Sequence, residues 1–138
     1  MKNLVQYISI CTIFLFISCT DNNEEIIDNT SPKLFIQSPT FLFNYSTDIG
    51  NSAVPYRVNL QAEAADIVEI ESLSLKIKDE DDNVIVEKLV KSNSNNKNIL
   101  RLTEGFQTTK VGVYTAEFTA KDTSGNYTFR SLTFEYND

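Results

Sequence analysis

The chain has 138 residues, 41% of them hydrophobic and 11% aromatic, which is enough apolar material for one packed domain and too much for a disordered chain. Nineteen acids against twelve bases give a net charge of −7, and no basic cluster stands out, so nucleic acid is excluded as an expected partner. Histidine is absent, and the two cysteines, Cys11 and Cys19, both lie near the N-terminus. A folded part without imidazole or thiol excludes Ser-His-Asp and Cys-His nucleophiles and zinc sites with nitrogen or sulfur ligands.

Met1-Lys2-Asn3 makes a short, positively charged start, and Leu4 to Ile17 is mostly apolar. As a helix, such a run would cover about 21 Å, short of the ~30 Å hydrocarbon layer but suited to a secretory signal. It ends in Phe16-Ile17-Ser18-Cys19. This resembles the lipobox of bacterial lipoproteins, with an apolar residue at −3, a small one at −1 and then the cysteine. The resemblance implies that residues 1–18 are a signal peptide cut after Ser18, and that the Cys19 thiol carries a diacylglyceryl group. One acyl chain binds a membrane marginally, whereas two or three, at about 0.8 kcal/mol per buried CH₂, hold stably. The membrane is then an expected partner through lipid rather than through a protein surface.

Thr20-Asp21-Asn22-Asn23-Glu24-Glu25 follows. It resembles the acidic tract behind the lipid-bearing cysteine in surface lipoproteins of Bacteroidota, which implies an outer-membrane location with display on the cell surface. By composition alone it is a solvated linker, and both readings hold together. Residues 19–31 form the expected tether, with an end-to-end distance of roughly 20 Å for a dozen polar residues.

From Pro32 to the end, 32–138, the apolar period is two and the punctuation is Asn, Asp, Ser and Gly. Lys33 to Ile36 and Phe41 to Tyr45 read as one first strand, interrupted at Ser38-Pro39 and so confined to an edge or a crossover between sheets. Tyr56 to Ala64 is the clearest strand, with Tyr56, Val58, Leu60, Ala62 and Ala64 facing inward. Leu73 to Lys78 places Leu73, Leu75 and Ile77 inward and leads through Asp79–Asn83 into Val84 to Val90, a hairpin. Ile99 to Thr103 is a further short strand. Gly112 to Lys121 alternates with Tyr114, Ala116, Phe118 and Ala120 inward. Asp122–Asn126 is a turn, and Tyr127 to Tyr136 closes the domain. Tyr127 and Phe129 share one parity while Leu132, Phe134 and Tyr136 share the other, so a bulge is expected near Arg130-Ser131.

About seven short strands without a helix predict an all-β sandwich. Gly112-Val113-Tyr114 with Ala116 two residues on resembles the tyrosine corner of immunoglobulin-like domains, and the run to Phe134 resembles bacterial immunoglobulin-like and cadherin-like repeats. The resemblance implies a single antiparallel immunoglobulin-like β-sandwich, with Ala116 where antibody domains carry a cysteine. It transfers no function.

Little in the chain points to chemistry. There is no G-x-G-x-x-G and no G-K-[ST] loop to cradle phosphates. Glu63, Asp66, Glu69 and Glu71 are read as solvated surface acids rather than the paired carboxylates of a glycosidase. Asp79, Asp81 and Asn83 have the spacing that opens a calcium loop, without its glycine and late glutamate; a solvated hairpin tip competes with that reading, as does calcium shared between loops with Asp122. Phe41, Phe43 and Tyr45 on one strand face either stack sugar rings or fill the core. No metal or other cofactor is expected beyond the covalent lipid, apart from that candidate Ca²⁺. The expected role is a non-catalytic, lipid-anchored interaction or accessory module whose partner is an envelope protein or a glycan. The alternatives are a structural spacer and a glycan-binding accessory of polysaccharide uptake. Contacts are expected on the loops 47–53, 79–83 and 122–126.

Overall fold

Period-two alternation turns one face of each segment toward a common core. The computed structural model, which describes residues 28–39, 44–46 and 55–137, arranges eight strands in that way. They are β1 (Lys33–Ser38), β2 (Asn44–Ser46), β3 (Val58–Ala65), β4 (Ile70–Lys78), β5 (Val84–Lys91), β6 (Ile99–Phe106), β7 (Gly112–Asp122) and β8 (Tyr127–Asn137). No helix occurs among the described residues. One sheet has the order β1-β3-β6 and the other β2-β8-β7-β4-β5. Strands β1, β3 and β6 occupy the places of A, B and E, and β4, β7 and β8 those of C, F and G, which is the immunoglobulin-like sandwich. β1 and β2 lie on different sheets either side of Ser38-Pro39, so the proline marks the crossover. Because the chain continues onward rather than turning back, β2 lies parallel to β8.

The core is filled from both sheets. Val58, Leu60, Ala62 and Ala64 of β3 and Leu100 and Leu102 of β6 face Leu73, Leu75 and Ile77 of β4 and Ala116, Phe118 and Ala120 of β7, all buried. At one end Phe106, Tyr114, Phe134 and Tyr136 pack as a four-ring cluster, with centroids 5.1–6.3 Å apart. The Tyr136 hydroxyl lies 2.6 Å from the Tyr56 carbonyl and 3.2 Å from that of Phe106, tying β8 to the opposite sheet.

Four expectations are corrected. Tyr56 is 59% exposed and precedes β3, because the ladder with β6 begins at Val58 opposite Phe106. β6 continues past Thr103 to Phe106. β8 carries no bulge: its register with β7 is unbroken from Gly112–Tyr136 to Lys121–Tyr127. A bulge lies instead in β4, where Glu71 is the extra residue between Ile70–Asp122 and Ser72–Lys121, and it returns Ile70 to the core side occupied by Leu73. The ordered domain also starts before Pro32. Pro32 is buried and its carbonyl accepts the Thr128 hydroxyl, while the Asp28 carbonyl accepts the Asn126 amide at 2.9 Å.

Both sheet faces toward solvent are laced by cross-strand ion pairs. Glu63–Arg101 and Lys76–Glu87 are directly opposite in register; Lys78–Glu117 and Glu71–Lys121 bridge β4 to β7. Exposed pairs of this kind contribute about 0.2–1 kcal/mol each. Lys88 differs from these. It lies on the inner face of the edge strand β5 and crosses to the other sheet, reaching the Thr103 carbonyl and the Glu104 carboxylate at 2.7 Å each. A charge turned inward on an edge strand closes the side of the sandwich and discourages pairing with another chain.

Candidate functional site

The loops gather at two ends of the sandwich. Asp66–Glu69, Ser92–Asn98 and Thr123–Asn126 share one end with the entering segment Asp28–Pro32. Asp79–Asn83 and Gln107–Val111 share the other. β4 separates Asp79 from the position opposite Asp122, so these carboxylates lie about 26 Å apart at 3.3 Å per residue. No one cation can use both.

The two aspartates instead organise matching hairpin loops. In Asp79–Asn83 the Asp82 N–H donates to the Asp79 carbonyl, and the Asp79 carboxylate accepts the N–H groups of Asp81 and Asn83 and the Asn83 amide at 3.1, 2.9 and 3.2 Å. In Asp122–Asn126 the Gly125 N–H donates to the Asp122 carbonyl, and the carboxylate accepts the Asn126 N–H and amide at 2.8 and 2.9 Å. The left-handed residue falls at the same place in each, Asp82 at φ 62° and Gly125 at φ 94°. This is the three-residue hairpin, a type I turn closed by an αL residue, and an asparagine following the aspartate across the loop is its side-chain brace. Asp82→Gly, which relieves the αL strain, is expected to stabilise the domain by about 0.5 kcal/mol, read as a higher melting temperature. Gly125→Ala should lower it.

Among the described residues no group of three or more acids is arranged to hold a metal ion. The four acids considered for catalysis have structural partners: Glu63 pairs with Arg101, Glu69 with Lys97, Glu71 with Lys121, and Asp66 accepts the Val68 N–H. The Asn83 amide holds the Asp79 carboxyl below the usual aspartate range, and the Lys88 ammonium does the same for Glu104. Carboxyls depressed in the fold stabilise it fully above their unfolded pKa values, and that contribution is lost as pH falls through the folded ones. Stability should therefore be flat down to roughly pH 5 and fall below it, with a shallower acid limb in Lys88→Met, followed by urea unfolding across pH.

The Tyr114 hydroxyl donates to the Lys110 carbonyl four residues upstream, at 3.0 Å, which is the geometry of the tyrosine corner. Cys19, Ser18, Phe41 and Phe43 lie outside the described residues, as does the loop 47–53, and Tyr45 stands opposite Tyr136 in the parallel pair.

Two exposed features were not expected from the sequence. Tyr127 and Phe129, 67% and 50% exposed, stand side by side on the solvent face of β8. An unbroken alternation from Phe134 back to Tyr127 would have indicated this. The second is a cleft of about 420 Å³ at the end of the three-stranded sheet, lined by Thr30, Ser31, Ala65, Ile67, Asn98 and Ile99 among others. Its signal was Ile67, an isoleucine placed where alternation stops.

No protein-family model matches the chain, and a search of curated proteins finds no match. Among solved structures, an engineered protein shares its fold. It aligns over 78% of this chain at a TM-score of 0.50 and 10% identity, and this chain spans about a fifth (20%) of that protein. CopC from Methylosinus trichosporium OB3b aligns over 76% of this chain and 94% of its own at a TM-score of 0.45 and 18% identity.

Proposed function

We propose that this chain is a lipid-anchored envelope lipoprotein, displayed at the outer membrane, whose immunoglobulin-like domain is a non-catalytic interaction module. The observation that carries the reading is the Phe16-Ile17-Ser18-Cys19 run that closes a short apolar segment, followed by a polar, acidic stretch and then by a folded domain. In such a protein the acyl chains supply the membrane affinity and the domain is free to present its surface. Support for a module without chemistry comes from how the acids are used, since those considered for catalysis hold cross-strand pairs and loops together. Support for contact rather than bare spacing comes from Tyr127 and Phe129, two rings left in solvent on a sheet face that is otherwise polar nearby. A glycan ring or an apolar patch of an envelope protein are the partner chemistries that such a pair fits.

The test is Cys19→Ala. Wild type should incorporate labelled palmitate and fractionate with membranes, and the variant should do neither while keeping a β-rich circular dichroism spectrum. A variant still found with membranes would overturn the anchor.

A further inference from the structure

The loop between β3 and β4 is built to hold an aliphatic side chain in solvent. The Asn98 amide nitrogen lies 3.1, 2.9 and 2.9 Å from the carbonyl oxygens of Asp66, Ile67 and Val68, and the Asp66 carboxylate accepts the Val68 N–H at 3.0 Å. With its backbone pinned on both sides, the loop leaves Ile67 87% exposed, more than any other large hydrophobic residue among those described. Ile99 stands beside it, 43% exposed, and the apolar cleft opens between Ile67 and the entering residues Thr30 and Ser31. In water this arrangement gains almost nothing from Ile67, whereas a rigid tip that meets an apolar medium loses little conformational entropy on contact.

We infer that this end of the sandwich rests on the bilayer, with Ile67 entering the interfacial zone of zwitterionic phospholipid. The inference rests on the lipid-anchored reading above and adds to it a defined orientation. The length of chain toward the anchor is what selects this occupant. Thr30 and Ser31 line the cleft, and Thr20 to Ile27, eight residues, separate Cys19 from Asp28. Nine Cα steps reach at most about 30 Å, so the Ile67 end, where the tether enters the fold, stays within that distance of the lipid and is the part of the domain nearest the anchor along the chain. The Asp79–Asn83 end stands a further strand length away.

The charges around the tip fit a zwitterionic surface. Lys33 lines the cleft, placing a cation at phosphate level, while the Glu69 carboxylate is met by Lys97 and that of Asp66 by a backbone N–H. The chain's net charge of −7 disfavours a strongly anionic surface.

The chain has no tryptophan, so Ile67→Trp gives a single indole emitter at the tip. Full-length lipidated protein, extracted in detergent, is reconstituted into phosphatidylethanolamine–phosphatidylcholine vesicles, with Glu80→Trp at the opposite end as the second variant. The expected result is a blue shift of the indole emission in Ile67→Trp and its quenching by acyl-brominated lipid, with the indole of Glu80→Trp unshifted and unquenched. Ile67→Trp protein that sediments with vesicles yet keeps water-like emission overturns the contact and leaves the anchor standing. Protein that does not sediment overturns the anchor, and the contact with it. A blue shift in Ile67→Trp that follows protein concentration rather than lipid overturns the contact in favour of a second copy seated in the cleft.

Discussion

Phe118→Ala is expected to destabilise the domain by about 3–5 kcal/mol, the usual cost of removing a buried phenyl ring together with the cavity it leaves. Phe118 is fully buried near the middle of β7, a central strand flanked by β4 and β8, with Leu75 opposite it on one side and Arg130 on the other. Both neighbouring strands are fixed by long ladders, so the sheet has little freedom to collapse into the void. A single small domain has about 5–15 kcal/mol in total, and the loss would be roughly a fifth of that or more. Urea unfolding at neutral pH, followed by tyrosine fluorescence, measures it. Phe129→Ala is the informative companion, since the same truncation on the solvent face should cost no more than about 0.5 kcal/mol. Equal losses for the two rings would mean that Phe129 faces the core.

That contrast also shows where the sequence is legible. Strands β3, β4 and β7 were readable because alternation is enforced by burial: a one-residue slip would turn Leu60, Leu75 or Phe118 into water. The crossover at Ser38-Pro39 was readable because proline cannot donate to a central ladder. Parity conflicts were harder. Ile70 conflicts with Leu73, and Phe129 conflicts with Leu132, in the same way. The first conflict is resolved by the extra residue Glu71. The second is resolved by leaving two aromatic rings outside. The difference lies in what stands opposite each strand end. Ile70 meets a covered end, its N–H donating to the Lys97 carbonyl and Thr123 donating to Glu69 beside it. The inward positions of β8 at its start are Thr128, which bonds the Pro32 carbonyl, and the exposed Arg130, where the core no longer reaches. Hydrophobicity alone cannot distinguish those two neighbourhoods.

The candidate site was less legible still. Acids at Asp79 and Asp122 invited a cation because Asp and Asn are both oxygen donors and turn formers. The spacing Asp79–Asn83 repeats in Asp122–Asn126, and that repeat was the stronger clue, since two copies of one brace point to hairpin geometry. Ile67 could not be assigned without Asn98, thirty-one residues away, whose amide fixes the loop. A long-range side-chain clamp leaves no local pattern.

Asp122→Ala should cost about 2–3 kcal/mol, the range for hydrogen bonds to a charged acceptor in a buried place, whereas Asp79→Ala should cost a small fraction of that. The two carboxylates make the same bonds to an asparagine four residues on. What separates them is water. Asp122 is fully buried, while the Asp79 loop is open to solvent, which replaces the lost bonds. Removing the Asp122 carboxylate also leaves the Asn126 amide without one of its two acceptors, and the other acceptor is the Asp28 carbonyl. The effect therefore spreads to the entering segment: hydrogen exchange should quicken from Thr30 to Lys33 in Asp122→Ala and stay unchanged there in Asp79→Ala. Equal exchange in both variants would mean that the segment is held by Thr128 and Pro32 alone, and that the Asp122 brace ends at its own loop.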